Sequence, residues 1–229
     1  MSRFREIGDE SGMTLVELLV AMTAGAVVMG GVIAAMLVTM RETNRVASHV
    51  DANQRARLTM TKIVNQLHSA CVAPQIAPLQ EDSSATTLSF LHQSGSAVAP
   101  TPVLSKISLS GTTLSQADYP VTGGAAPKWT FSSTPSSTVQ LMTGISTISA
   151  SVPIFSYFAY SNGAISSTSL ATPLNTNAAS AVQVNIAFDA APEKAVSGDT
   201  NAETAIKNAV LLRLTPPAYG STTANLPCQ

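Results

Sequence analysis

Charge is the first thing this chain is short of. Its 229 residues carry 12 basic and 13 acidic side chains. That balance excludes electrostatic capture of nucleic acid, which needs a basic surface to displace counterions. No basic cluster is present that would hold the chain to anionic lipid. The shortage is also uneven. Between Ser83 and Phe188 only Lys106, Asp118 and Lys128 are charged, amid abundant Ser and Thr. Such a composition points to an exported surface protein rather than a cytosolic enzyme. Cysteine is scarce too: Cys71 and Cys228 are the only two, and they form no CxxC pair. The usual zinc and redox spacings are therefore excluded. An even count favours a disulfide formed in an oxidising compartment, the alternative being two unpaired buried thiols. The loop so closed is long, and on the chain-entropy account it stabilises by several kcal/mol.

Catalytic signatures are missing as well. His49, His68 and His92 are spaced neither as HExxH nor as a Cys/His zinc site. Gly144-Ile145-Ser146 begins like a nucleophile elbow but lacks the closing glycine, and no SxxK occurs. No glycine-rich phosphate loop precedes a helix. Asp189, Glu193, Asp199, Asn201 and Glu203 gather oxygen donors in and beside one polar loop. Their spacing does not fit an EF-hand, and they read as a solvated acidic loop rather than a Ca²⁺ site. Tyr119, Trp129 and Tyr219 fit a contact surface or a core equally well. The expectation is a protein that is not an enzyme and uses no cofactor and no metal.

What the chain does have is one long apolar run, in "SGMTLVELLVAMTAGAVVMGGVIAAMLVTMRET". From Leu18 to Met40 there are 23 residues without a charge. At about 1.5 Å per residue, a helix of that length crosses the roughly 30 Å of bilayer hydrocarbon. One carboxylate, Glu17, stands at its start, where burial is costly without a partner. A cleaved secretory signal is excluded. Its apolar core would be shorter, and its leader more basic than "MSRFREIGDESG", which holds two Arg against three acids. A plain membrane anchor fits the length but leaves Glu17 and the polar "DESG" boundary unexplained.

The segment "G-M-T-L-V-E-L-L-V-A" resembles the processing and N-methylation motif of type IV pilins and their pseudopilin relatives. The resemblance implies cleavage by a prepilin peptidase between Gly12 and Met13, and methylation of Met13. It makes Glu17 the fifth mature residue. In this family that carboxylate neutralises the methylated terminal amine of its own chain or of a neighbouring subunit, so Glu17 is expected to act in assembly. Thr14, Leu15, Val16, Leu18 and Leu19 match the same core. The chain departs from the pattern in two ways: its first mature residue is Met, where Phe is commoner, and its leader is weakly basic. Arg41 and Arg45 follow the helix, so counting Lys and Arg on the two sides does not set the orientation.

Small residues support close helix packing. Ala21 and Gly25, Ala26, Gly30 and Ala34, and Gly31 and Ala35 each lie four apart. Gly30-Gly31 is the candidate for the stretch that unwinds in pilin filaments, since each Gly weakens a helix by about 1 kcal/mol against Ala. The family's frequent helix proline is missing, because no proline occurs before Pro74.

The pattern turns amphipathic from Arg41 to Ala70. Val46, Val50, Leu58, Ile63, Val64 and Leu67 recur at helical spacings, with Arg41, Arg45, Arg55, Arg57 and Lys62 on a solvated face. One helix is expected from about Leu15 to Ser69, ended by Pro74 and Pro78. Strands follow: "ATTLSFLHQ" with Leu88 and Phe90 on one face, and a hairpin "KISLSGTTLSQ" about Ser110-Gly111. Then come a strand and turn at Gly144 and two extended pieces about Asn162-Gly163. "AVQVNIAFD" alternates through Val182, Val184, Ile186 and Phe188. Its partner "NAVLLRLTP" carries Val210, Leu212 and Leu214 beyond a polar loop from Ala190 to Lys207. The fold class is α+β, a long N-terminal helix on an antiparallel sheet domain.

The implied divisions are a leader (1–12), a transmembrane or filament-core helix (13–40), an amphipathic half (41–72) and a sheet domain (73–229). "ANQRARLTMTKIVNQLHSAC" and "IFSYFAYSNG" look like the W-type minor pilins, and J-type minor pseudopilins share much of the pattern. The resemblance implies a minor pilin, inserted once in the cytoplasmic membrane and then placed in an extracellular or periplasmic filament. Its implied partners are other pilins through the N-terminal helix, the prepilin peptidase and an inner-membrane assembly platform. A minor pseudopilin of type II secretion or DNA uptake is the near alternative. An anchored surface protein or hydrolase with a fortuitous N-terminal match is the distant one. Loss of residues 1–12 removes two Arg and three acids, leaving 10 basic and 10 acidic side chains and a mature net charge of zero.

Overall fold

The structure, a computed structural model, describes residues 12–71, 77–94, 101–125, 128–193 and 203–212. The chain divides into two compact units, the first reaching Val46 and the second beginning at Ala47. One helix, α1 (Leu15–His68), makes up most of the described part of the first unit and continues into the second. It starts at the expected Leu15 and stops one residue short of Ser69.

In the second unit α1 lies on two antiparallel five-stranded sheets, where the sequence suggested one. The first holds β1 (Thr87–Ser94), β2 (Thr101–Ser110), β3 (Thr113–Ala125), β4 (Lys128–Phe131) and β5 (Ser137–Met142). The second holds β6 (Ile145–Ser146), β7 (Phe155–Ser161), β8 (Ala164–Ile165), β9 (Ala181–Ala190) and β10 (Thr204–Leu211). A short 3-10 helix, Asn175–Ser180, leads into β9. The two sheets share a construction. β3 carries β4 along Val121–Ala125 and β5 along Leu114–Asp118 on one edge. β9 likewise carries β6 at Asp189–Ala190 and β7 along Ala181–Ile186.

Gly144 takes the chain from one sheet to the other. Its φ is +72°, and a Cβ there would stand 2.9 Å from the Ala191 carbonyl oxygen. The Ala191 N–H donates to the Gly144 carbonyl at 2.8 Å, and the Ile145 N–H to that of Thr112 at 2.9 Å. A side chain at 144 would meet both a backbone conformation it avoids and an oxygen it cannot displace.

Leu88, Phe90, Val182, Val184, Ile186, Phe188, Val210 and Leu212 are buried, as the alternation predicts. Leu214 lies outside the described residues. Two details differ. The final loop is shorter than Ala190–Lys207, because Thr204–Lys207 already pair with β9. The strand Lys128–Phe131 was not anticipated.

The buried face of α1 follows the periodicity at its C-terminal end, where Ile63 and Leu67 are buried and Val64 packs against the core, and differs before it. Val46, Val50 and Leu58 are 61%, 50% and 71% exposed, while Ala52, Ala56, Thr59, Met60, Ile63 and Leu67 are buried. Before Thr59 the inward stripe is thus built on alanines rather than on the larger residues that the periodicity favoured. Small side chains let the helix backbone approach the sheets, and the Thr59 hydroxyl reaches the Leu141 carbonyl at 3.3 Å. Ala56 is fully buried in the main core with Met60, Ile63 and Leu67. Substituting Ala56→Leu forces that contact open and is expected to cost about 1–3 kcal/mol. Thermal unfolding of the full chain in detergent micelles would read this as a fall in Tm.

Arg55 is not merely solvated. Its guanidinium bridges Asp51 one turn back, at 2.9 Å, and Glu193 just past β9, at 2.7 Å.

Candidate functional site

The start of α1 brings the N-terminal residues into a defined geometry. Thr14 is the helix cap. Its hydroxyl accepts the Glu17 N–H at 3.3 Å, and its carbonyl accepts the Leu18 N–H at 3.1 Å. The cap hydroxyl satisfies one of the N–H groups that a helix start leaves without partners. Glu17 therefore occupies the third helical position, where a carboxylate faces the positive end of the helix dipole. The T-x-x-E spacing behind this is a capping-box signature. It is local and legible in the sequence, but was overlooked beside the larger motif. Gly12 and Met13 precede the cap in non-helical conformation, and both are exposed.

Every residue from Gly12 to Asn44 is exposed. Leu15, Val16, Met22 and Val27 each show 70% or more of their surface. An apolar helix uncovered on all sides is not a core helix. By length and composition it qualifies as a membrane span. Its few hydroxyls are turned back onto the backbone. Thr23 donates to the Val20 carbonyl at 2.9 Å, Thr39 to Ala35 at 2.8 Å and Thr43 to Thr39 at 2.9 Å. Cβ atoms built at Gly25, Gly30 and Gly31 would meet nothing within 4 Å. Both glycines of the Gly30-Gly31 pair are helical here.

The other expected residues fall elsewhere. Cys71 is fully buried beside Leu91, Leu104 and Phe131, with its N–H donating to the Leu91 carbonyl at 2.8 Å. Cys228 lies outside the described residues, as do Asp199, Asn201 and Tyr219. Of the acidic loop, Glu193 is committed to Arg55. Among the described residues no group of three His, Cys, Asp or Glu is placed to hold a metal ion.

One polar cluster has no counterpart in the sequence reading. His92 on β1, Ser105 on β2 and Asp118 on β3 are joined side chain to side chain. His92 Nε2 is 2.8 Å from Ser105 Oγ, which donates to Asp118 Oδ1 at 2.5 Å. Gln116 Nε2 donates to the same Oδ1 at 2.8 Å, and Ser137 Oγ to Oδ2 at 3.1 Å. Burial pushes the His92 imidazole below its ordinary value, against the raising influence of the Gln93 carbonyl and of Asp118. Burial pushes the Asp118 carboxyl up, but hydrogen bonds from Ser105, Gln116 and Ser137, with the nearby His92, outweigh it and leave it below the ordinary value. These are the residue types of a hydrolase triad in a different order. The serine stands between histidine and acid, gives its proton to the acid, and is fully buried. Such a serine presents no nucleophile to a substrate.

Residues 8–33 match the prokaryotic N-terminal methylation motif, the feature typical of type IV pilin-like proteins. The matched stretch contains Gly12, Met13, the Thr14 cap, Glu17 and the first half of the uncovered helix. Among curated proteins none matches the chain.

Proposed function

We propose that this chain is a filament subunit of the type IV pilus kind, a minor pilin made as a precursor. A prepilin peptidase cuts it between Gly12 and Met13, and Met13 is methylated on its new amine. Its helix holds it in the cytoplasmic membrane until it joins a filament through that same helix. The chain acts by binding and polymerising, not by turnover, and takes no cofactor. One observation carries this reading. The methylation motif opens a helix that is free of charge from Leu18 to Met40 and exposed on every side there, a surface that needs other helices or lipid to cover it. Its partners are the helices of neighbouring pilins, the peptidase and the membrane platform that assembles the filament. Glu17 sets the register by pairing with the amine of Met13 in a low dielectric, where each charge alone is costly.

The sheet unit adds a second element, a disulfide between Cys71 and Cys228. Its support is the buried position of Cys71 at the end of α1, where a covalent tether to the C-terminal end of the chain stabilises most.

Both parts are tested by one non-reducing peptide map of protein purified from cell membranes. The expected N-terminal peptide starts at methylated Met13, and the peptides holding Cys71 and Cys228 appear as one cross-linked species. A peptide starting at Met1 or Ser2, in cells with an active prepilin peptidase, removes the filament reading and leaves a plain anchor. Free thiols at both positions remove the disulfide alone.

A further inference from the structure

The contacts of the His92 cluster can all be made at only one proton count. Ser105 owns one hydroxyl proton, and a carboxylate can only accept, so that proton lies on the 2.5 Å contact with Asp118. His92 Nε2, 2.8 Å from the same Ser105 oxygen, must then be a donor. The Gln93 carbonyl oxygen, 3.2 Å from His92 Nδ1, also can only accept, so Nδ1 must be a donor too. Both contacts are satisfied together only by a ring protonated on both nitrogens. A neutral ring leaves one unmade. Without the Nδ1 proton, a lone pair faces the Gln93 carbonyl. Without the Nε2 proton, Ser105 must turn its hydroxyl away from Asp118 and leave two oxygens in bare contact.

We propose that His92 is a proton-operated latch. Gaining a proton completes an unbroken donor chain from the Gln93 carbonyl through His92 and Ser105 to Asp118, joining β1, β2 and β3, and losing it opens one link.

The surroundings suit such a device. On β1 the ring neighbours the uncharged Phe90, at 5.5 Å between centroids. On β2 Lys106 is turned to Asp82 in an ion pair. On β3 Asp118 supplies the charge acting on the ring, with the amide of Gln116 beside it. On β5 Ser137 holds the far oxygen of Asp118. At the end of α1, Ala70 pairs with His92 itself and exposed His68 stands two residues before it. The latch thus lies on the seam where the last turn of α1 meets the first sheet. The Cys71 N–H donates to Leu91 and the Gln93 N–H to Ser69 along that seam.

Closing it has a cost, because burial disfavours the charged ring. An unfolded histidine takes its proton near pH 6.5, and the folded ring takes it at lower pH. The fold therefore loses stability as pH drops below about 6.5 and until the folded ring titrates, even as the chain of bonds completes.

The test is NMR of the ring nitrogens in the full chain, labelled at histidine, in detergent micelles, with His92 assigned by the His92→Gln variant. At about pH 7 the expected ring has one protonated and one bare nitrogen. On acidification the bare signal is lost in one step before the chain unfolds. Ser105→Ala, which removes the acceptor for Nε2, is expected to lower the proton affinity of His92 roughly tenfold, as is Asp118→Asn. A titration unchanged within about twofold in both variants overturns the latch. So does a bare nitrogen that persists until acid unfolding.

Discussion

With Glu17→Val, the chain is expected to insert in the membrane normally while its recovery in sheared filaments falls at least about tenfold. A tenfold loss corresponds to about 1.4 kcal/mol, and leaving one charge of a buried pair without its partner costs more than that. Valine is apolar and suits a bilayer helix. The Thr14 half of the cap is also unaffected, because Thr14 accepts the backbone N–H of residue 17 and not its side chain. What disappears is the carboxylate that would meet the amine of Met13, so the deficit should be confined to docking. Glu17→Gln keeps the shape without the charge and should fail as Val does, which separates the ion pair from packing. An immunoblot of sheared and cell-bound fractions reads both. Normal incorporation of the Val variant would reduce Glu17 to a capping and dipole residue, worth only about 0.3–1 kcal/mol to the helix.

The largest stability effect is expected at Phe188. It is fully buried in the central strand of the second sheet, opposite Ile206 of β10. Phe188→Ala removes a whole ring from a packed core and should cost about 3–5 kcal/mol, a large share of the roughly 5–15 kcal/mol that holds a domain folded. Tyr160 on β7, 59% exposed in the same sheet, provides the control. Tyr160→Ala should change stability by less than about 1 kcal/mol. Fluorescence of the single tryptophan, Trp129, followed through thermal unfolding in micelles, distinguishes the two. Equal and small effects would mean that the second sheet contributes little to the cooperative core.

Which of these features could be read in advance depended on whether they are local. The limits of α1, the Gly111 hairpin and the alternation of β9 follow from residues close in sequence, and all three were legible. So was the Gly12–Glu17 motif, because it is a run of neighbouring residues. The inward face of α1 was legible only in part: Ile63 and Leu67 are buried as their spacing suggests, while Val46, Val50 and Leu58 are not. Apolar spacing marks a helix but does not say which stripe a sheet selects, and here closeness of approach favoured Ala52 and Ala56 over Val46, Val50 and Leu58. β4 was hidden because its pairing runs through Gly123 and Gly124 of β3, residues that signal a turn when read alone. The crossing from one sheet to the other is held by contacts distant in sequence, among them that between Gly144 and Ala191. His92, Ser105 and Asp118 are separated by 13 residues each, and strand register alone brings them together. No local pattern signals that.

The threonines of the exposed helix carry a further consequence. Because Thr23 and Thr39 already spend their hydroxyl protons on their own backbone, the stretch from Leu18 to Met40 offers its surroundings little but hydrocarbon and glycine flats. Exchanging one apolar medium for another breaks no hydrogen bond along this stretch. The transfer free energy is then close to zero over the helix and concentrated at its first turn. On the proposed reading, a subunit built this way is partitioned between two solvents that it can barely tell apart, and the carboxylate of Glu17 would be left to decide which it occupies.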